Sequence, residues 1–132
     1  MWFTEIEDKI VGRFRANGEV LKKYYPNINF TDENETDIAI TRFPTVYIEE
    51  LSGMERGRDL EGTHVNAYMA TFQINVIHND ERTAVKRVMR NCMETAKQLQ
   101  FEIIGTPTYS RSNKTWYGTA RIRRVLGASD PI

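Results

Sequence analysis

Side chains that could carry covalent or acid–base chemistry are few in this sequence and scattered along it. The two histidines, His64 and His78, belong to no metal-ligand spacing such as His-Glu-x-x-His. The single cysteine, Cys92, recurs at helical spacing with Val85, Val88, Met89, Ala96 and Leu99. That spacing makes it a small core residue rather than a nucleophile, which would need a partly exposed, electropositive setting. Asp32, Glu33, Glu35 and Asp37 crowd together but lack the glycine and closing glutamate of a calcium loop, so they read as a solvated acidic loop. Glycine-rich phosphate loops, Gly-x-Ser-x-Gly and zinc-type cysteine pairs do not occur. A small hydrolase or isomerase would need a pocket with a perturbed acid or base, and only Glu49, Glu50, His64 and His78 offer themselves. The expectation is a protein that is not an enzyme, with no catalytic, cofactor-binding or metal residues.

Two other features point to association. The closing stretch places Arg121, Arg123 and Arg124 near Trp116 and Tyr117. Aromatics interleaved with arginines can stack on bases and neutralise phosphates. The plainer account, favoured here, is an exposed sheet face or pairing with acidic residues of a neighbour. The second feature is a set of edge-strand candidates beside a long glycine-rich stretch. Edges are protected in monomers and become joining surfaces in assemblies.

The elements that must position these residues centre on 68 to 104. Tyr68 to Ile77 alternates apolar with small or polar side chains, the period of a half-buried strand. Tyr68, Ala70, Phe72, Ile74 and Val76 line one face; Thr71, Gln73 and Asn75 line the other. His78, Asn79 and Asp80 turn the chain, and Asn79 or Asp80 can cap a helix running from Glu81 to about Gln100. Its apolar stripe includes Val85, Val88, Met89 and Cys92, with Arg82, Lys86, Arg87, Arg90, Glu94 and Lys97 mostly opposite. Phe101 to Ile104 reads as a strand stopped by Gly105 and Pro107.

Upstream, Thr4 and Glu7 match a capping box, and Ile6, Ile10, Phe14 and Leu21 follow at helical spacing. Gly18 ends or weakens that helix. Residues 27 to 37 are expected to form a loop holding a short strand anchored by Ile28 and Phe30. Thr45 to Leu51 reads as a strand, with Pro44 at its beginning or on an edge. Ser52 to Gly62, with three glycines and five charges, is expected to be a mobile hairpin loop. A final hairpin runs from Thr108 to Ser112, through a turn at Asn113 and Lys114, and from Thr115 to Leu126; residues 127 to 132 form a short tail. The expected fold class is α+β: one domain over residues 1 to 132, a single mostly antiparallel β-sheet with two α-helices packed on it, in the order helix, strands, helix, hairpin.

Composition agrees with one globular domain. The 132 residues suffice for one core, and 40% hydrophobic and 27% charged residues are ordinary. Lysine plus arginine equals aspartate plus glutamate at 18 each, so global charge favours no polyanionic partner. No stretch approaches the roughly 20 apolar residues that span a bilayer. The opening residues lack a basic region followed by an apolar run, so no signal peptide is expected, and a lone cysteine fits a reducing cytosol. The Asn-x-Ser/Thr triplets at Asn29, Asn34 and Asn113 therefore read as chance.

The order of elements resembles that of the tail terminator (tail-completion, head–tail joining) proteins of long-tailed bacteriophages. The resemblance is carried by the amphipathic first helix leading to Leu21-Lys-Lys-Tyr-Tyr-Pro26, by Phe43-Pro-Thr-Val-Tyr-Ile-Glu-Glu-Leu51 and the polar stretch after it. It continues with Phe72-Gln-Ile-Asn-Val-Ile77 and its helix, Phe101, and the closing Arg121-Ile-Arg-Arg124, so it covers essentially the whole chain. It is one of pattern, not of signature residues. It implies an α+β domain forming a homo-oligomeric ring, typically a hexamer, in the neck of the virion. Such a ring assembles in the cytoplasm of the bacterial host, caps the head-proximal end of the tail tube, ends its polymerisation and docks onto the head–tail connector protein. DNA passes through the lumen without sequence-specific binding; no membrane and no cofactor are implied. A head-completion or connector ring is the alternative within virion assembly. A nucleic-acid-binding module using the Trp116 to Arg124 strand is the alternative outside it. On the ring reading, the edge strands supply the subunit interface, with Thr45, Tyr47, Glu49, Tyr117, Arg121 and Arg123 as candidates. Met54, Arg56, Arg58 and Leu60 are the candidate contacts to the tube or lumen.

Overall fold

The computed structural model describes residues 6–31, 44–58, 65–79, 82–112 and 115–127. Helix α1 (Ile6–Asn17) runs into a 3-10 turn (Gly18–Lys23) and then strand β1 (Asn29–Thr31). Strands β2 (Thr45–Arg58) and β3 (Val65–His78) form a long hairpin, helix α2 (Arg82–Gln98) follows, and β4 (Glu102–Ser112) and β5 (Thr115–Gly127) close the chain. The five strands form one sheet in the order β1-β2-β3-β5-β4. Only β1 and β2 are parallel; every other pair is antiparallel. The fold is thus α+β with a single, mostly antiparallel sheet and two helices, as the periodicities require.

Alternation in β3 explains why one sheet face is core. Ala70, Phe72, Ile74 and Val76 are fully buried, and their neighbours Val46 and Ile48 on β2 and Ala120 and Ile122 on β5 continue the same apolar layer. Both helices cover that layer. α2 contributes Val85, Val88, Met89, Cys92 and Ala96; α1 contributes Ile6, Ile10, Val11 and Phe14. Phe101 enters beyond α2 and meets Phe72 edge-on at 5.9 Å. Gly118 lets α2 come close to β5, since a Cβ there would lie 2.8 Å from Val85 Cγ1. No helix among the described residues is long and apolar enough to cross a membrane.

The ends of the two helices are held differently. Where α1 gives way to the 3-10 turn, Gly18 lies against the Phe30 ring, which an added Cβ would overlap. The Asn17 amide donates to Gln98 Oε1 at 2.7 Å, and Asn91 donates to the Asn17 carbonyl at 3.2 Å, tying this end to α2. α2 ends in a Schellman motif. Phe101 N–H donates to Ala96 O at 2.9 Å, Gln100 N–H donates to Lys97 O at 3.0 Å, and Gln100 takes the left-handed conformation at φ 64°. Arg124 donates to Leu99 O at 2.8 Å, satisfying another terminal carbonyl.

Two expectations from sequence need correction. Residues 52 to 58 are not loop: β2 continues to Arg58 and β3 begins at Val65. One extra residue between Leu51 and Met54 forms a bulge that absorbs Ser52 and Gly53, after which pairing resumes as Met54 with Met69. Polar composition argues against a core segment, but a strand at the margin of a sheet needs only a partner backbone. Likewise, Gly105 and Pro107 do not end a strand. They sit in a bulge within β4, between Ile104 and Thr108, with Gly105 at φ 71°. The Thr4–Glu7 capping box, the caps at Asp80, the acidic stretch 32–37, the turn at 113–114 and the tail after 127 lie outside the described residues.

Candidate interaction surfaces

The sheet face away from the helices is built from the polar half of each alternation. Thr71, Gln73 and Asn75 on β3 lie between Leu51, Glu49 and Tyr47 on β2 and Arg123, Arg121 and Thr119 on β5. Cross-strand bonds knit it together. Thr119 Oγ1 donates to Asn75 Oδ1 at 3.0 Å, Arg121 Nε to Gln73 Oε1 at 3.2 Å, and Arg123 Nε to Glu102 Oε2 at 3.0 Å. Ile104 and Val125 stand exposed at 39% and 47%.

This geometry redistributes the residues singled out from sequence. Tyr117, Arg121 and Arg123 belong to β5, which is flanked by β3 and β4, so they are on no edge. They reach a partner through the sheet face alone. The edge arm of the final hairpin is β4. On β2, Thr45 to Tyr47 is covered by β1, and no strand flanks the outer side from Ile48 onward among the described residues. Thr45 is buried at 1% exposure, and Tyr47 and Glu49 are half-buried on the open face. Met54, Arg56 and Arg58 pair with Met69, Ala67 and Val65 within the hairpin instead of lying in a loop; Leu60 and His64 lie outside the described residues.

The cationic cluster of the closing strand is largely occupied. Arg123 is paired with Glu102, Arg121 is bonded to Gln73, and Arg124 serves the end of α2. A stronger concentration of positive charge lies elsewhere. Arg82, Lys86, Arg87 and Arg90 are all exposed on the first half of α2, whose first turn holds no acidic residue. Aromatic rings flank them. The Arg87 guanidinium sits 4.9 Å from the Tyr24 ring centroid and 6.0 Å from that of Tyr25, and its Nη1 donates to the Tyr25 hydroxyl at 3.3 Å. Arg82 and Arg111 approach Trp116 at 5.8 and 5.7 Å, and Lys86 lies 5.5 Å from Tyr109. Burial pushes the Tyr109 hydroxyl pKa up, while the charges of Arg82 and Arg90 pull it the other way. Sequence reasoning placed these cations on a solvated helix face and did not join them to Tyr24, Tyr25, Trp116 and Tyr109. The available signal was the like-charged i,i+4 series Arg82, Lys86, Arg90.

Among the described residues, Cys92 and His78 are held in separate surroundings. Burial raises the Cys92 thiol pKa to about 12, so it remains protonated at neutral pH. His78 packs edge-on against Tyr25 at 6.1 Å. Among the described residues, no group of three His, Cys, Asp or Glu side chains could hold a metal ion. A shallow cleft of roughly 460 Å³ beside the Arg123–Glu102 pair is lined by Met69, Gln100, Arg124 and Val125 as well. The described surface presents an open polar sheet face, two sheet margins and a cationic helix face. No protein-family model matches the chain, and no curated protein is significantly similar to it in sequence.

Proposed function

We propose that this chain is a virion structural protein whose copies form a ring that caps the head-proximal end of a phage tail tube. The observation that carries the reading is the pair of sheet margins. β4 forms one, and short β1 followed by β2 beyond Tyr47 forms the other, each without a flanking strand on its outward side among the described residues. A ring requires two different patches per subunit, joined by a heterologous contact that closes after a fixed rotation. Margins at opposite ends of one sheet meet that requirement, because β4 of one copy can face β2 of the next. The open face adds side-chain contacts through Tyr47, Glu49, Tyr117, Arg121 and Arg123, while Met54, Arg56 and Arg58, near the hairpin's tip, are the candidates to reach the tube or the lumen. Thr45, being buried, supports the strand from within. The ring would contact the tail tube and the head–tail connector protein and let DNA pass.

The test is native mass by light scattering across protein concentration, followed by negative-stain imaging with tail tubes. Closed rings, or density capping tube ends, are the expected result, with Ile104→Lys abolishing both while leaving the melting temperature unchanged. A protein that stays monomeric at every concentration and leaves tube ends bare overturns the reading.

A further inference from the structure

We infer that the outward face of α2 is a docking surface for the phosphate backbone of a nucleic acid, engaged without regard to base sequence. This inference is independent of the ring reading. Arg82, Lys86 and Arg90 follow one another at i,i+4 and so stack along the helix at about 6 Å intervals, with Arg87 beside them. Such like-charged neighbours repel. The first turn is also where the helix macrodipole disfavours cations, and it holds Arg82 with no acidic residue. None of the four has an ion-pair partner among the described residues, Arg87 donating only to the neutral Tyr25 hydroxyl, whereas Arg123 on the sheet face is paired with Glu102. Asp80 and Glu81 precede the helix in sequence, and residues 80 to 97 still carry five cations against three carboxylates. A chain with no net charge has therefore concentrated positive charge where helix stability opposes it.

The flanking rings favour a phosphate backbone over a flat acidic protein surface. The Tyr24 and Trp116 rings lie 4.9 and 5.8 Å from the guanidiniums of Arg87 and Arg82; Arg87 gives one N–H to the Tyr25 hydroxyl, and the remaining N–H groups can take phosphate oxygens. Trp116 is half-buried, and the exposed Tyr24 ring, at 55%, already faces Arg87 and Lys23, so little ring surface is left for base stacking.

Fluorescence anisotropy with a labelled mixed-sequence DNA duplex tests this. If all four cations displace counterions, log affinity falls with log salt at a slope near −3.6, or roughly 150-fold between 50 and 200 mM salt. A duplex of scrambled sequence should bind equally. The variant Arg82→Gln/Lys86→Gln/Arg87→Gln/Arg90→Gln should lose binding, and Arg121→Gln/Arg123→Gln should keep it. If the fourfold variant does not fold, Arg82→Gln alone should flatten the slope by about 1. Absence of duplex binding by the folded wild-type chain at 50 mM salt overturns the inference, as does binding that survives the helix substitutions. Preference for a polyglutamate peptide over the duplex also overturns it, and assigns the surface to an acidic protein instead.

Discussion

The two helices lie on the same sheet face, and their charges are arranged in opposite senses. α1 carries Glu7 and Asp8 in its first turn and Arg15 in its last, complementing the macrodipole at both ends. α2 has no acidic residue in its first turn and loads its first half with cations. Both buried stripes are largely apolar, with Thr95 the buried polar residue of α2, so the charge contrast lies on the exposed sides. The charged ends of α1 favour its helix, although the exposed Gly12 in its interior does not. α2 follows the dipole rule only in its last turn, with Lys97, and the cations of its exposed first half run against it.

The largest effects should show the two helices as equals in the core. Phe14→Ala on α1 and Met89→Ala on α2 each remove a side chain buried to 0% exposure. Each is expected to lower unfolding free energy by about 2–5 kcal/mol in urea titrations. A loss below about 1 kcal/mol at either site would show that its helix is not seated as described. Next comes Gly18→Ala, whose Cβ must displace the Phe30 ring; a destabilisation of about 1–3 kcal/mol is expected from overpacking. The third concerns the other helix end. Gln100 is a non-glycine residue in the left-handed region, so Gln100→Gly should raise stability by up to about 1 kcal/mol. Thermal melts would check it, and a decrease would mean the Gln100 side chain makes a contact worth more than the backbone strain.

The smallest effects separate the exposed sides. Asp8→Asn on α1 should cost about 0.3–1 kcal/mol, and Arg82→Gln on α2 should contribute stability of similar size. Both should shrink as salt screens the dipole. If Arg82→Gln destabilises instead, the cation serves the fold, and the contrast between the helices disappears.

Much of this architecture was legible because it is periodic. The alternation from Tyr68 to Ile77 and the stripe from Val85 to Ala96 each have a single arrangement that buries their apolar residues. Cys92 followed from its place in the stripe. The segment from Ser52 to Arg58 was not legible, because its pairing depends on β3 continuing beside it and on a bulge no local signal announces. Gly105 and Pro107 misled for the same reason: both are turn formers, and here they bend a strand whose partner runs straight through. The site was less legible than the fold. The closing arginines look like a cluster in sequence, yet folding gives Arg121 and Arg123 polar partners and turns Arg124 to the end of α2.

By itself the sequence determined which faces must be buried, and hence the α+β class with two helices on one sheet, because apolar period is a local property that fixes which side of each element faces the core. Tertiary structure alone decided the strand order, which made β5 interior and, among the described residues, left β4 and the outer part of β2 as margins. It also brought Tyr24 and Trp116, far apart in the chain, to the guanidiniums of one helix. Strand neighbours and cation–ring contacts depend on distances between segments remote in sequence, and those distances exist only after the core has closed.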